Sequence, residues 1–305
     1  MRVDTKGKSV ANDLGERAPR MRAVRLRAAG GPEELVVEEI DTPRPRDGEA
    51  LVHVHAAAIT RDELEWPVDR LPATPSYELS GVVETVPSYV EGVSVGDAVF
   101  ALTPFDRDGV AAEYAAVPAD LLVPKPRTLD HVEAAAVPLA ALSAWQGLFV
   151  HGRLREGQRV LVHGAGGGVG HLAVQLARRA GAHVIGTASS ASEESARAAG
   201  AHELIDAAGF EETLEPVDLV FDTAGGELLT RSPAVMRQGG TIVSIAEEPP
   251  EGVDAAYFVV EPDRAQLVEI GRIVEDGSAS GHRLRVPAGR RARRVRAQHG
   301  TRQAR

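Results

Sequence analysis

As far as Val117, apolar residues come in short runs separated by proline and glycine. Beyond it, strand-type runs alternate with helical spacing. The early runs are MRAVRLR from Met21, Leu35–Val37, Ala50–Ala56, Gly81–Val86, Ala98–Leu102 and Ala112–Val117, punctuated by Pro43, Pro45 and Gly48. Short strands between turn residues predict a small, largely antiparallel barrel or sandwich. The alanine-rich stretch from His131 to Phe149 reads as a helix. Val160–Val162, His183–Thr187, Glu203–Ile205, Val217–Phe221, Thr241–Ile245 and Tyr257–Val260 then read as strands. Helices are expected at Glu193–Ala199, at Leu228–Arg237 with Gly239-Gly240 closing it, and at Arg264–Glu275. This alternation predicts an α/β half with an open, doubly wound parallel sheet.

The densest chemistry lies between Val162 and Gly181. Six residues, Ala165-Gly166-Gly167-Gly168-Val169-Gly170, separate an apolar strand from Leu172, Val174, Leu176 and Ala177 at near-helical spacing, and Gly181 stops that helix. This is G-x-G-x-x-G with alanine in the first place. Such a turn lets backbone approach a pyrophosphate and packs a helix hard against the strand it left. The helix N-terminus then offers free N–H groups to the phosphates. The strand before and the helix after give a short motif its weight.

The 305 residues suggest two domains, at about 100–200 residues each. The absence of cysteine excludes disulfides and cysteine-ligated metal centres and fits a reducing, cytoplasmic setting. No apolar secretory core occupies the first 20 residues, which are expected to be a disordered leader, with Met21 an alternative start. Ala134–Val150 is apolar but short for a membrane span and reads as a buried helix. The net charge of −10 argues against nucleic-acid binding by the body of the chain. It is uneven, since Gly281–Arg305 holds nine arginines and no acid, leaving 25 basic against 44 acidic residues elsewhere.

Taken together, GGPEELVVEE, GVSVGDAVFAL, AAEYAAVPADLLVPKP, AAAVPLAALSAWQGL, RVLVHGAGGGVG, DLVFDTAGGELL, RQGGTIVSIA and FVVEPDRAQL resemble the medium-chain dehydrogenase/reductase superfamily. More narrowly they resemble its zinc-independent quinone-oxidoreductase branch, from about Met21 to Gly277. The resemblance implies a GroES-like catalytic domain over 21–145 and a Rossmann cofactor domain over 146–276, with substrate between them. It also implies hydride transfer from a reduced nicotinamide to a quinone or an α,β-unsaturated carbonyl. An enoyl reductase of a fatty-acid or polyketide-like pathway and a non-catalytic NADPH-binding sensor are the alternatives.

Zinc-dependent relatives hold a metal with a cysteine and a Gly-His-Glu histidine. Here those positions read Thr60 and Ser76-Tyr77-Glu78, so no metal is expected. The His53-x-His55 pair shares one strand face and reads as structural. Tyr77 is the candidate for hydrogen bonding or protonating the substrate carbonyl, with Thr60 and Asp62 behind it. At the end of the second Rossmann strand, Thr187-Ala188-Ser189-Ser190 offers no acid for the ribose hydroxyls of NAD, which favours NADP, and Ser189 and Ser190 can donate to a 2′-phosphate. By resemblance Ser143, Ala224, Ser244-Ile245-Ala246 and Phe258-Val259 line the nicotinamide and ribose. Relatives pair Rossmann sheets edge to edge, which implies a homodimer through the strand near Tyr257–Val260.

Two stretches depart from the family. Relatives have a glycine-rich turn where this chain has Val86-Pro87-Ser88-Tyr89-Val90, so strain or a changed turn type is expected. The end, from residue 277, lacks the closing strands of relatives and reads as a divergent, disordered, arginine-rich tail that leaves a sheet edge incompletely covered. The rival reading of that tail is an arm for nucleic acid or acidic partners.

Overall fold

The computed structural model describes residues 19–60, 62–64 and 70–276. The leader, residues 61 and 65–69, and the arginine-rich tail lie outside them. Chain order begins with a hairpin of β1 (Arg20–Leu26) and β2 (Leu35–Asp41), paired antiparallel from Arg20–Asp41 to Leu26–Leu35. It continues through β3 (Glu49–Ala58), β4 (Glu78–Thr85), β5 (Ala98–Leu102), β6 (Tyr114–Pro118) and β7 (Val123–Pro124). These five form one antiparallel sheet in the order β6-β3-β4-β5-β7. The alternation read from the sequence buries one face of this sheet, with Val52, Leu79, Val83, Val99, Ala101 and Val117 in a single cluster. Bridges from Ala23 to Ala112 and from Leu26 to Ala73 fasten the hairpin to it.

The alanine-rich stretch is not one helix. Asp130 caps α1 (His131–Ala135) in a reciprocal capping box with Glu133. Pro138, which has no N–H to give to the ladder, opens a second helix, α2 (Pro138–Trp145). The chain then widens into a π turn over Gln146–His151. Gly147 permits it, because a Cβ there would lie 2.2 Å from the Phe221 ring.

The second half contains β8 (Arg159–His163), α3 (Gly170–Arg179), β9 (His183–Thr187), α4 (Glu193–Ala199), β10 (Glu203–Ile205), α5 (Phe210–Thr213), β11 (Val217–Asp222), α6 (Gly226–Arg231), β12 (Met236–Ser244), β13 (Ala255–Tyr257) and α7 (Arg264–Asp276). All six strands are parallel, in the order β10-β9-β8-β11-β12-β13. The direction of winding reverses between β8 and β11, the first and fourth strands, which makes that crevice the switch point of a doubly wound fold. Tyr77, Phe100, Leu142, Ala165, Leu172, Phe221 and Ile270 belong to one core cluster, so the antiparallel sheet, α2 and the parallel sheet pack as a unit.

Three expectations need correction. The helix expected to reach Arg237 stops at Arg231. Pro233 cannot continue an α ladder, so the chain tightens to a 3-10 turn over Ser232–Val235 and extends from Met236 as β12. Gly239 and Gly240 therefore close no helix. They sit at a register shift of β12, where Gly239 has φ +78° and a Cβ on Gly240 would lie 2.9 Å from Asp218 O. The last strand is Ala255–Tyr257, and Phe258–Val260 run beyond it as irregular chain. The turn after Val86 carries no strain: Val90 N–H donates to Pro87 O at 3.0 Å, and the only non-glycine residues with positive φ among those described are Ser76 and Arg153.

Candidate active site

The cradle at the switch point is built from backbone. Gly164, directly after β8, has φ +71°, which starts the turn in a conformation that favours glycine. The Ala165 N–H donates to Thr187 O at 2.8 Å and the Gly167 N–H to Gly164 O at 2.8 Å, tying the turn to the end of β9 and to itself. A Cβ on Gly170 would lie 2.0 Å from Gly164 O, so α3 can begin this close to β8 only with glycine. A Cβ on Gly166 would lie 2.1 Å from Ser192 O, where the turn meets the loop before α4. Ala165 and Gly170 are buried, while Gly166, Gly167, Gly168 and Val169 are half-buried. The sequence reading began the motif at Ala165 and missed Gly164, whose signal was a glycine abutting the apolar strand.

Behind the cradle lies a buried polar network. The Thr187 hydroxyl, 1% exposed, meets His163 Nδ1 at 3.1 Å, and His163 Nε2 meets the Ser232 hydroxyl at 3.0 Å. Thr187 thus turns its side chain inward and offers the turn its carbonyl. Burial, with the Arg231 charge, pushes the His163 pKa down to about 4, so this imidazole is neutral. Ser189 and Ser190 are exposed beyond β9, with the Ser189 hydroxyl 2.9 Å from that of Ser192.

On the other side of the crevice, Asp222 ends β11 fully buried. Its carboxylate accepts from the Ala224 N–H at 3.2 Å, the Gly225 N–H at 3.1 Å and the Ser244 hydroxyl at 2.9 Å. The Ser244 oxygen in turn accepts from the Ala246 and Glu247 N–H groups at 3.1 and 3.2 Å, and the Ile245 N–H donates to Asp222 O at 3.1 Å. Ala224, Ser244, Ile245 and Ala246 are thus assembled around Asp222, which the sequence reading did not single out. Burial raises its pKa. Phe258 N–H donates to Ser244 O at 3.2 Å, and its ring stacks on His151 at 4.3 Å, while Val259 stays exposed. The Gln146 amide fixes the following segment, accepting from Glu261 N–H at 3.1 Å and donating to Glu261 O at 2.8 Å. Ser143 is buried, with its hydroxyl donated to Leu139 O at 2.8 Å within α2.

Two segments carry the residues expected on the substrate side. After β3, the Thr60 N–H donates to Glu63 Oε1 at 3.0 Å across a short 3-10 turn, Asp62–Leu64. Asp62 lies in that turn, and its side chain is outside the described residues. Ahead of β4, Ser76 holds φ +73°, fixed by its hydroxyl donating to Ala58 O at 2.7 Å and Glu78 O at 3.0 Å. Left-handed backbone on a non-glycine residue persists only where the surroundings over-determine it. The Tyr77 ring is buried edge-on against Phe105 at 4.9 Å. Glu78 accepts from Leu139 N–H at 2.8 Å in the first turn of α2. Burial and the Glu78 charge push the Glu63 pKa up to about 9. Neither carboxyl was among the residues expected to act.

His53 and His55 make edge contact at 5.0 Å, His53 stacks on Tyr114, and His55 lies 4.4 Å from His131, whose Nδ1 meets the Ser80 hydroxyl at 2.8 Å. They form a packed row of rings. Among the described residues no group of three or more His, Asp or Glu side chains could hold a metal ion. No helix among them is long and apolar enough to cross a membrane.

Comparison with known proteins agrees with this architecture. The family model described as alcohol dehydrogenase GroES-like domain matches residues 46–127, and that described as zinc-binding dehydrogenase matches 168–268. The chain is 32% identical over 277 residues to a probable mitochondrial zinc-binding oxidoreductase of Arthroderma benhamiae, covering 81% of this chain and 83% of that one. It is 32% identical over 268 residues to the chloroplastic NADPH-dependent alkenal/one oxidoreductase of Arabidopsis thaliana, covering 81% and 68%. The solved quinone oxidoreductase of Coxiella burnetii superposes with a TM-score of 0.75 at 29% identity, covering 85% of this chain and 88% of that chain. Fold and site define a two-domain, nicotinamide-dependent oxidoreductase. The chain belongs to the medium-chain dehydrogenase/reductase superfamily, in its quinone-oxidoreductase branch.

Proposed function

We propose that this protein is a zinc-independent reductase that uses NADPH to reduce quinones or α,β-unsaturated carbonyls. The observation that carries the cofactor choice is the end of β9. Thr187-Ala188-Ser189-Ser190 contains no carboxylate, and the two serines are exposed beside the loop that meets Gly166. An acid there would accept from the ribose hydroxyls of NAD and repel a 2′-phosphate. The cradle fits a dinucleotide, because glycine at 166 and 170 lets the turn pack closely on Ser192 and Gly164 and sets the N-terminus of α3 at the end of β8.

When bound, the nicotinamide supplies the hydride. The chain supplies the rest. Asp222 and Ser244 hold the loops at the ends of β11 and β12, Gln146 and Phe258 close the side next to β13, and Thr60 and Tyr77 stand on the substrate side. The residues present support a reaction without zinc: Thr60 and Tyr77 stand where zinc-dependent relatives have a soft cysteine and an imidazole. No step here uses a metal. A cysteine-free chain suits a cytoplasmic setting.

We place a second copy against β13. This strand ends the sheet order, with Tyr257 and Val259 exposed beside it, and a bare edge is a template for pairing. Light scattering reporting a monomer at all concentrations would contradict it. The test of the function is a steady-state assay with NADPH and NADH against a small quinone and a small enone, before and after dialysis with a chelator. Activity with NADPH that survives chelation is expected.

A further inference from the structure

Two buried carboxyls stand behind Thr60 with no part yet assigned. Glu63 is 1% exposed and Glu78 is 3% exposed. Glu78 is engaged with Leu139 N–H. Glu63 Oε1 accepts from Thr60 N–H, and the Thr60 hydroxyl and Ser76 N–H lie against the same carboxyl group, whereas Oε2 is buried with no hydrogen-bond partner. A buried, unpartnered carboxylate oxygen beside a second carboxyl is unfavourable as an anion, since like charges at close range in a poorly solvated site do not both ionise. Thr60 itself is half-buried and Glu63 buried.

We propose that Glu63 is the positioning and proton-supplying residue of the substrate side, acting through the Thr60 hydroxyl. This rests on the reductase reading above. Once hydride has reached the β-carbon of an enone, the substrate carries an enolate. The Thr60 O–H bond breaks as its proton goes to the enolate. Thr60 Oγ takes the proton of the Glu63 carboxylic acid, and Glu63 is left as a carboxylate that regains a proton from water. No oxidant or further reductant is needed. Rotation of the carboxyl about its broad terminal torsion brings the protonated oxygen to Thr60. The same carboxyl fixes the Thr60 turn and faces left-handed Ser76, so it also sets the spacing between Thr60 and Tyr77. Glu78 is the charged group that faces it, and burial with that neighbour keeps Glu63 protonated to about pH 9.

Glu63→Gln separates the two roles, because an amide copies the shape of the neutral acid but passes no proton. The tests are enone reduction across pH in wild type and Glu63→Gln, NADPH binding by fluorescence, and the infrared carbonyl band of a protonated carboxyl. Wild type is expected to show that band at neutral pH and to lose it near pH 9, and Glu63→Gln to lack it. Glu63→Gln should bind NADPH as wild type does, but reduce enone about 10²-fold more slowly and without the fall in rate near pH 9. A variant with wild-type rate and the same fall would overturn the proposal and hand the proton to Tyr77 or water. Absence of the band from wild type at neutral pH would also overturn it. If no acceptor is reduced by wild type while the band is present, the reductase reading fails and the protonated Glu63 stands.

Discussion

The Ser244 hydroxyl donates to Asp222 Oδ2 at 2.9 Å and accepts from two backbone N–H groups of its own loop. One side-chain pair thereby fastens the loops that leave β11 and β12 on one wall of the crevice. Asp222→Ala would leave buried N–H and O–H donors unpaired, at about 1–3 kcal/mol. We expect a lowered melting temperature and about tenfold weaker NADPH binding, measured by calorimetry and fluorescence titration. Asp222→Asn, which keeps one acceptor oxygen, should fall between.

Gly170→Ala places a methyl 2.0 Å from Gly164 O, a backbone atom that cannot swing away. α3 must shift from the cradle, and NADPH binding should become unmeasurable at concentrations that saturate wild type. Gly167→Ala meets only a 3.1 Å contact with the same oxygen. It should keep the fold and weaken binding less.

Ser189→Asp restores an acid beyond β9. Repulsion of the 2′-phosphate should cost NADPH about tenfold or more in affinity, while NADH improves. Binding constants for both nucleotides decide this.

Much of this was legible in the sequence. Periodicity located β5, β9, α4 and β10 to the residue, because their apolar pattern and their turn residues agree. It failed where one residue overrode local preference: Pro138 split the alanine-rich helix, and Pro233 ended α6 early. The glycine turn was readable because backbone conformation and close approach demand glycine. Asp222, Glu63 and Glu78 were not, because a buried carboxyl looks like any surface acid until its neighbours are placed. Ser143 was named from resemblance and Thr187 from its place at the end of the second strand, and the structure turns both hydroxyls into the protein.

Glu63 also fixes a pH dependence. Its folded pKa of about 9 lies above the 4.5 of an ordinary glutamate side chain. Between these values the folded state holds a proton that the unfolded state has lost, so this group makes stability fall as pH rises through the window. Glu63→Gln removes that dependence. Its stability relative to wild type should rise by about 4 kcal/mol from pH 5 to pH 8 in denaturant titrations.

The histidines act in the opposite direction. His163 and His131 are pushed down to about 4 from 6.5 by burial. Between these values the unfolded state binds protons that the folded state refuses, so stability is full above about pH 6.5 and falls as pH drops toward 4. His131→Gln should flatten this acid limb in melting curves taken across that range.

The central claim is that the turn from Gly164 to Gly170 cradles a phosphorylated nicotinamide dinucleotide. Titration of the folded wild-type chain with NADPH and NADH, alongside Gly170→Ala, tests it most directly. Saturable NADPH binding tighter than NADH and abolished by Gly170→Ala is the expected result, followed by NADPH oxidation once a small enone is added. Failure of wild type to bind either nucleotide, or equal binding by Gly170→Ala, would contradict it.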